Sequence, residues 1–118
     1  MVKIMQITYY CDIYISEALE KKKKKIMKKL ASNSLQPFVY IITLAQGEQN
    51  HLEFYSSVLL RQHVYENTPL FVVGIADGYD GAVGLVEHIA EDVYSETGET
   101  DIREYILKRQ REYEEGRV

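Results

Sequence analysis

The stretch 74–81 carries the residue types best suited to hold an anion. It reads Gly-Ile-Ala-Asp-Gly-Tyr-Asp-Gly and follows a predicted strand. A dinucleotide site has Gly-x-Gly-x-x-Gly at such a junction, because small residues let backbone N–H groups approach a pyrophosphate at a helix N-terminus. Here Ala76 replaces the first glycine, and two aspartates stand beside any phosphate. We therefore predict a structural turn in which Gly78 supplies a positive φ, with anion or nucleotide binding by Gly78, Tyr79 and Gly81 as the alternative.

A catalytic interpretation uses residues that follow two predicted strands. His51 could act as a general acid or base, with Asp77 or Asp80 as the carboxylate that orients it. Gly47, in the turn after the second predicted strand, would join the three ligand-binding residues named above. Open parallel sheets bind ligands at the carboxyl ends of their strands, where the strand order changes direction. No Walker loop, nucleophile elbow or His-Glu-x-x-His motif is present, so the sequence favours a protein that is not an enzyme.

The sequence predicts neither a metal site nor a cofactor. His51 and His63 lack ligand spacing. His88 and Asp92 are four residues apart on a predicted helix, where an exposed ion pair is commoner than a shared ion. The single cysteine, Cys11, excludes an intrachain disulfide and is expected to be an inert core thiol.

Seven lysines fall within nine residues, at Lys21–Lys25, Lys28 and Lys29. Such a cluster can neutralise phosphates or contact an anionic membrane. The segment has no arginine and no aromatic residue, although these usually accompany phosphate recognition and base stacking. We interpret it as a solvated helix face, and predict neither a membrane partner nor a specific nucleic-acid partner.

Charge is divided along the chain. Residues 1–46 have eight lysines and three acids, a net +5, whereas residues 47–118 have six basic residues and fifteen acids, a net −9. The acidic total of −4 disfavours a dedicated duplex binder. No apolar run approaches the ~20 residues of a membrane span, and no signal peptide opens the sequence. We therefore expect a soluble cytoplasmic protein.

Alternating strands and helices must position these residues. Residues 5–15 alternate between apolar and polar and predict a half-exposed strand at a sheet edge, with a break near Cys11–Asp12. The β-prone runs 38–45 and 70–76 predict strands covered on both faces. Helices are expected from Ser16 to Ser32, from Glu48 to Tyr65, from about residue 82 to Gly98, and after Thr100 or Asp101. The pattern predicts a single α/β domain, 1–118, with a small three-stranded, mostly parallel, Rossmann-like sheet in the order βαβαβα plus a C-terminal helix.

Ten tyrosines and no tryptophan are the most unusual feature of the composition. Tyr10 and Tyr14 lie on the polar side of the first predicted strand, and tyrosine is enriched at partly wet interfaces. These two residues are our candidate interface, although the last helix could cover them within one chain. We therefore expect a protein that acts by association, as a homo-oligomer or as an accessory or regulatory subunit of a protein partner. A small-ligand binding protein or enzyme is the alternative.

Overall fold

The computed structural model describes residues 7–31, 36–44, 52–58 and 70–116. Their elements, in chain order, are β1 (Ile7–Ile15), a 3-10 helix (Glu17–Lys22), α1 (Lys23–Ala31), β2 (Val39–Leu44), β3 (Leu52–Ser56), β4 (Leu70–Asp77), α2 (Gly78–Thr97) and α3 (Ile102–Glu114). No helix within these ranges is long and apolar enough to cross a membrane.

The four strands form one mixed sheet in the order β1-β4-β2-β3. Only β1 and β4 are parallel, because β2 runs antiparallel to both of its neighbours. The predicted three-stranded, mostly parallel, Rossmann-like arrangement is therefore wrong. The seven residues between β2 and β3 are too few for the helical crossover that a parallel pair requires, whereas an antiparallel pair needs only a short connection.

The strand β3 lies inside the segment that the sequence pattern assigned to a helix. Leu52 and Tyr55 are three residues apart, which would place them on one side of a helix. In the structure they lie in opposite cores, as the two-residue repeat of a strand requires. Pairing of Leu52 with Leu44 and of Ser56 with Tyr40 builds this strand, and such non-local hydrogen bonds are invisible in the local pattern.

Helices cover both faces of the sheet and enclose two cores. The first core lies between the sheet and the segment made of the 3-10 helix and α1, and is built around Leu19, Ile26, Ile41 and Val72. The second core lies between the sheet and the pair α2 and α3, and includes Tyr10, Ile42, Val73, Ile89 and Ile106. The expectation that β2 and β4 are covered on both faces is confirmed.

The uneven charge of the sequence becomes two opposite faces of the molecule. The lysine-rich segment 17–31 lies on one side of the sheet. The helix α2, which has five acidic residues and no lysine or arginine, lies on the other. The seven lysines are therefore separated from most of the acidic charge by the thickness of the sheet.

The first strand leaves its ladder where the sequence predicted a break. Tyr9 pairs with Val72 and Tyr14 pairs with Gly74, so the residues between Tyr9 and Tyr14 bulge away from β4. Within the bulge the Cys11 N–H donates to the Gln110 side-chain oxygen of α3 at 2.7 Å. A side chain of α3 thus provides a hydrogen bond to β1 at the bulge, where β1 does not pair with β4.

Local signals at the helix ends are confirmed. Gly78 has a φ of 74° at the start of α2, and Gly98 has a φ of 73° at its end. The Asp101 carboxylate accepts the Glu104 N–H at 3.0 Å and caps α3. The segment 77–81, predicted as a loop, is helical from Gly78 onward.

Candidate anion-binding site

The carboxyl ends of β1 and β4 form the point at which the chain leaves the sheet in opposite directions. The segment after β1 packs on one face, and α2, which follows β4, packs on the other. Adjacent parallel strands whose helices diverge in this way leave a crevice between them, and open α/β sheets bind ligands at such crevices. Ser16 and Asp77 lie at this crevice, and the ligand site at the carboxyl ends of the strands stays a prediction.

Backbone and hydroxyl hydrogen bonds hold this edge together. The Ser16 N–H donates to the Ile75 carbonyl at 3.0 Å, and the Ser16 hydroxyl accepts the Asp77 N–H at 3.1 Å. The Gly78 N–H donates to the Phe38 carbonyl at 2.8 Å. The Ser16 hydroxyl makes no capping bond to the helical segment that follows it. The two Ser16 bonds hold the end of β1 against β4, and the Gly78 bond holds the start of β2 against the end of β4.

A cavity of about 560 Å³ opens beside this edge, between the lysine-rich segment and the start of β2. Its floor is apolar and consists of Leu19, Ile26 and Val39, all of which are buried. Its volume lies in the range of small-molecule sites, which are mostly apolar and carry a few polar groups that orient the ligand. We name this space the lysine cavity.

Three lysines, Lys22, Lys25 and Lys29, line the lysine cavity. They are three and four residues apart, so they share one side of the helical segment. The buried Ile26 and Leu30 anchor α1 to the sheet and set the orientation of the lysines beside them. Lysine stems lie along apolar surface while their ammonium groups reach outward. The cavity therefore combines an apolar floor with a positively charged wall.

Phe38 forms the aromatic side of the cavity and is 77% exposed. Its position is set by the buried Gln36, whose side-chain amide donates to the Ile26 carbonyl at 3.4 Å. The Ser57 hydroxyl donates to the Gln36 carbonyl at 2.5 Å, which ties the same turn to the end of β3. Within the described residues, no ring contact involves Phe38.

Among the described residues of the cavity lining, Asp77 supplies the one carboxylate. It is the last residue of β4 and precedes the first turn of α2, but its side chain makes no capping hydrogen bond there. The side chain is exposed. An ionised carboxylate only accepts hydrogen bonds, so Asp77 can hold a hydroxyl or amino group but repels a phosphate.

The other predicted site residues that the structure describes lie outside the cavity lining. Gly78, Tyr79 and Gly81 belong to the first turn of α2 and are not part of the cavity lining. The Tyr79 ring instead contacts Tyr40 and Phe54, with ring centroids 6.4 and 5.5 Å away. Asp80 is exposed on the same turn. Gly47 and His51, also predicted, lie outside the described residues.

The two tyrosines predicted at an interface lie within the packing of the chain. Tyr10 is 2% exposed, because α3 covers that side of β1. The Tyr14 hydroxyl donates to Asp92 at 2.5 Å, and its ring contacts His88 edge-on at 5.9 Å. Burial and the hydrogen bond to Asp92 raise the pKa of Tyr14 above its ordinary value. The structure thus has the alternative arrangement, in which the last helix covers this face.

His88 and Asp92, the four-residue pair considered for a shared ion, are linked through Tyr14. The described residues contain no group of three or more histidine, cysteine, aspartate or glutamate side chains that could hold a metal ion. Cys11 is half-buried, and burial raises the pKa of its thiol. These residues therefore stabilise the contact between β1 and the two long helices.

Sequence reasoning missed Phe38, because its neighbours along the chain are apolar strand residues. The one sequence feature that could have indicated Phe38 as a site residue is its position directly after Pro37, at the beginning of a predicted strand. Phe38 enters the cavity lining because β2 pairs with β4 in the assembled sheet. Comparison of the chain with protein-family models, with curated proteins and with solved structures gives no match. The function is accordingly inferred from the chemistry of the described residues.

Proposed function

We propose that this protein binds a small organic anion in the lysine cavity. The observation that carries the proposal is the presence of three lysines around an apolar floor, beside the carboxyl end of β4 and the start of β2. If these lysines served only to keep the helix surface in contact with water, no cavity would be required next to them. Here a ligand would gain both from charge pairing with the ammonium groups and from burial of its apolar part.

Charge pairing alone would give weak binding, since exposed ion pairs contribute little and are screened by salt. The apolar floor of Leu19, Ile26 and Val39 changes this balance. A ligand whose apolar part lies in the cavity removes its own apolar surface and the exposed ring of Phe38 from water, and it lowers the local dielectric around the ammonium groups. An anion with an apolar body therefore fits the cavity better than an inorganic anion does.

Fluorescence titration with anilinonaphthalene sulfonate tests the proposal, because this dye is an aromatic anion whose emission rises in an apolar site. The double variant Lys22→Gln with Lys25→Gln should weaken binding at least about tenfold, since two charge-assisted contacts are lost. Its matched control is Lys21→Gln with Lys24→Gln, which removes the same charge at the same spacing from lysines outside the cavity lining.

The control should bind nearly as well as the unchanged protein. Equal weakening by the two double variants would mean that the dye responds only to net charge, and the proposal would fail. Circular dichroism on both variants checks that the helix content of the protein is unchanged.

Self-association is the second candidate function, and a different surface favours it. The strand β3 is an edge strand of the described sheet and pairs only with β2. Beside it Tyr40, Phe54 and Tyr79 form an aromatic cluster, in which Tyr79 is 61% exposed. Edge strands readily pair with a second chain, and a two-fold contact would bring the same cluster together from two copies.

Light scattering after size exclusion tests this candidate. A dimer that dissociates in Tyr79→Glu but persists in Tyr94→Glu would support it, because both tyrosines lie on α2 with 61% and 59% exposure and only Tyr79 joins the cluster. A mass near 13.7 kDa at high protein concentration would exclude self-association. A dimer indifferent to both changes would place the interface on another surface.

A further inference from the structure

We propose that the side of the molecule around the lysine cavity binds the surface of an anionic lipid bilayer. This inference rests on the proposed function and identifies the anion with an apolar body as a phospholipid held in a membrane. It uses what we name the lysine face, which consists of the exposed lysines of the helical segment that form no ion pair within the described residues: Lys21, Lys22, Lys24, Lys25 and Lys28.

The lysine face extends beyond the cavity. Of its five lysines, only Lys22 and Lys25 line the cavity. A single small ligand in the cavity would leave the ammonium groups of the other three lysines in water. A bilayer instead presents many anionic headgroups in one plane, and each basic residue near such a surface adds to the attraction. An extended anionic surface therefore engages the whole face.

The helix α1 concentrates like charges at the expense of its own stability. It contains no acidic residue, and Lys28 follows Lys24 by four residues and Lys25 by three. Lysines at these spacings lie next to each other on a helix and repel each other. Anionic headgroups would offset this repulsion, because they place opposite charge beside each ammonium group.

Two exposed apolar residues, Pro37 and Phe38, lie in the same cavity lining as Lys22 and Lys25. Phe38 is 77% exposed. Lysine together with phenylalanine is typical of protein surfaces that enter the headgroup region of a bilayer. Recognition of nucleic-acid phosphates usually also uses arginine, which the segment 17–31 lacks. The sequence alone led us to expect no membrane partner, but it could not place an exposed aromatic residue beside the lysines.

The acidic helix α2 lies on the far side of the sheet from the lysine face. A protein with a net charge of −4 can approach an anionic bilayer only with its positive side. The segment 17–31 has seven lysines and two acids, so this side keeps a positive charge. The potential of the membrane falls off within a Debye length, ~8 Å at physiological ionic strength, so acids beyond the sheet add little repulsion.

Sedimentation with large vesicles tests the inference. One preparation contains phosphatidylcholine alone, and the other contains equal parts of phosphatidylcholine and phosphatidylserine. We expect the protein to bind the second preparation at least about tenfold more tightly than the first, and to bind it more weakly at physiological than at low ionic strength. Equal binding to the two preparations, or no binding to the second at low ionic strength, would overturn the inference.

Lysines inside and outside the cavity lining distinguish docking of the whole face from binding in the cavity. Lys21→Gln with Lys24→Gln should weaken binding to the phosphatidylserine vesicles about tenfold or more, because two charges of the face are lost, although it leaves dye binding nearly unchanged. Lys22→Gln with Lys25→Gln should weaken both. Vesicle binding that persists in the first variant would show that lipid contacts the cavity alone, and the docking would be wrong.

The matched control is Lys108→Gln with Arg111→Gln, which removes the same charge from exposed positions of α3. This variant should bind the phosphatidylserine vesicles as tightly as the unchanged protein does. Equal weakening by this variant and by the variants of the lysine face would mean that binding follows net charge alone, and the inference would fail.

Phe38→Trp reports contact with the bilayer. The chain has no tryptophan, so this variant has a single indole beside the cavity. Its emission should shift to shorter wavelength with phosphatidylserine vesicles, because indole rings enter the membrane interface. Tyr94→Trp, at an exposed position on α2, is the control and should show no shift. An unchanged emission of Phe38→Trp on bound vesicles would place another surface against the bilayer and overturn the inference.

Two competitors identify the source of the anion. Glycerophosphoserine, the headgroup without acyl chains, and polyuridylate, a single-stranded RNA, should not displace the protein from the vesicles at an equal concentration of phosphate. Displacement by the first would indicate a soluble ligand, and displacement by the second would indicate a nucleic acid; either would overturn the inference. If the phosphatidylserine vesicles fail to bind while the dye binds, the inference fails and the proposed function stands. If neither binds, both fail.

Discussion

The Tyr14 hydroxyl donates a hydrogen bond of 2.5 Å to the Asp92 carboxylate, which joins residues 78 positions apart in the chain. Tyr14 is also the residue at which β1 returns to its ladder with β4. The Tyr10 ring stacks on the Tyr14 ring at 6.4 Å. One tyrosine therefore closes the bulge of the edge strand and attaches α2 to it.

Replacement of Tyr14 by phenylalanine should lower the free energy of unfolding by about 1–2 kcal/mol, because the half-buried Asp92 loses a charge-assisted hydrogen bond. Urea denaturation monitored by circular dichroism measures the change. Tyr113→Phe, at a tyrosine that is 55% exposed, is the control and should change stability by less than about 0.5 kcal/mol. Equal stability of the two variants would show that the hydrogen bond contributes nothing net.

The stability of the protein should fall in alkaline solution. Burial raises the pKa of Tyr9 to about 12, and it raises the pKa of Tyr10 and Tyr14 as well. The folded chain thus keeps protons on these phenols above pH 10.0, the ordinary value, while the unfolded chain releases them. The free energy of unfolding is therefore unaffected by these groups below pH 10, and decreases as the pH rises from 10 towards 12.

Absorbance titration of tyrosinate, combined with urea denaturation at each pH, measures both effects. Part of the absorbance change should appear only above pH 11, or together with unfolding. The Tyr14→Phe variant should lose part of this late change. Complete ionisation of all tyrosines near pH 10 in protein that is still folded would contradict the prediction.

Gly78→Ala should lower the free energy of unfolding by about 1–2 kcal/mol, because alanine is strained in the backbone conformation of this position. Gly78 has a φ of 74°, and a Cβ added there would meet nothing within 4 Å, so the cost is that of a left-handed conformation. A valine is β-branched and should cost up to about 3 kcal/mol. Thermal unfolding with calorimetric detection measures both variants.

Gly84→Ala is the matched control for the Gly78 variants. Gly84 lies inside α2 and has no positive φ, and a Cβ there also has open space. Alanine should therefore stabilise the helix by about 0.5–1 kcal/mol. An unchanged melting temperature in Gly78→Ala, with loss of anion binding, would instead place Gly78 in the binding site.

Gln110→Ala should loosen the attachment of α3 to β1. The side-chain oxygen of Gln110 accepts the Cys11 N–H at the bulge, and its removal leaves this amide without that partner at a cost of about 1–3 kcal/mol. Native-state hydrogen exchange should show faster exchange of the Cys11 amide. Lys108→Ala, an exposed position on the same helix, should leave the exchange rate unchanged.

Local features of the fold could be predicted because their causes are local. A glycine with a positive φ at 78 and at 98, and an aspartate cap at 101, depend on a few neighbouring residues. The runs that became β2 and β4 are mostly apolar and rich in β-branched and aromatic residues, which is typical of strands covered on both sides. The break in β1 follows from a strand longer than sheets usually accommodate.

Strand number and direction could not be predicted, because they depend on contacts between distant residues. The segment Leu52–Ser56 satisfies both a helical and a strand pattern over so short a length, and pairing with β2 decides between them. The burial of Tyr10 was equally hidden, since it depends on where α3 packs. A tyrosine on a half-polar strand fits a core as well as an interface.

The sequence by itself determined that the protein is a small α/β unit with a lysine-rich helical segment, since periodicity and composition act within each segment. Only the tertiary structure decided which other side chains share a cavity with those lysines. The hydrogen bond from Gly78 to Phe38 and the pairing of β2 with β4 bring an exposed ring and the Asp77 carboxylate into the lining that contains Lys25. Because such pairings join residues far apart in the chain, the lysine cavity exists only once the sheet is assembled.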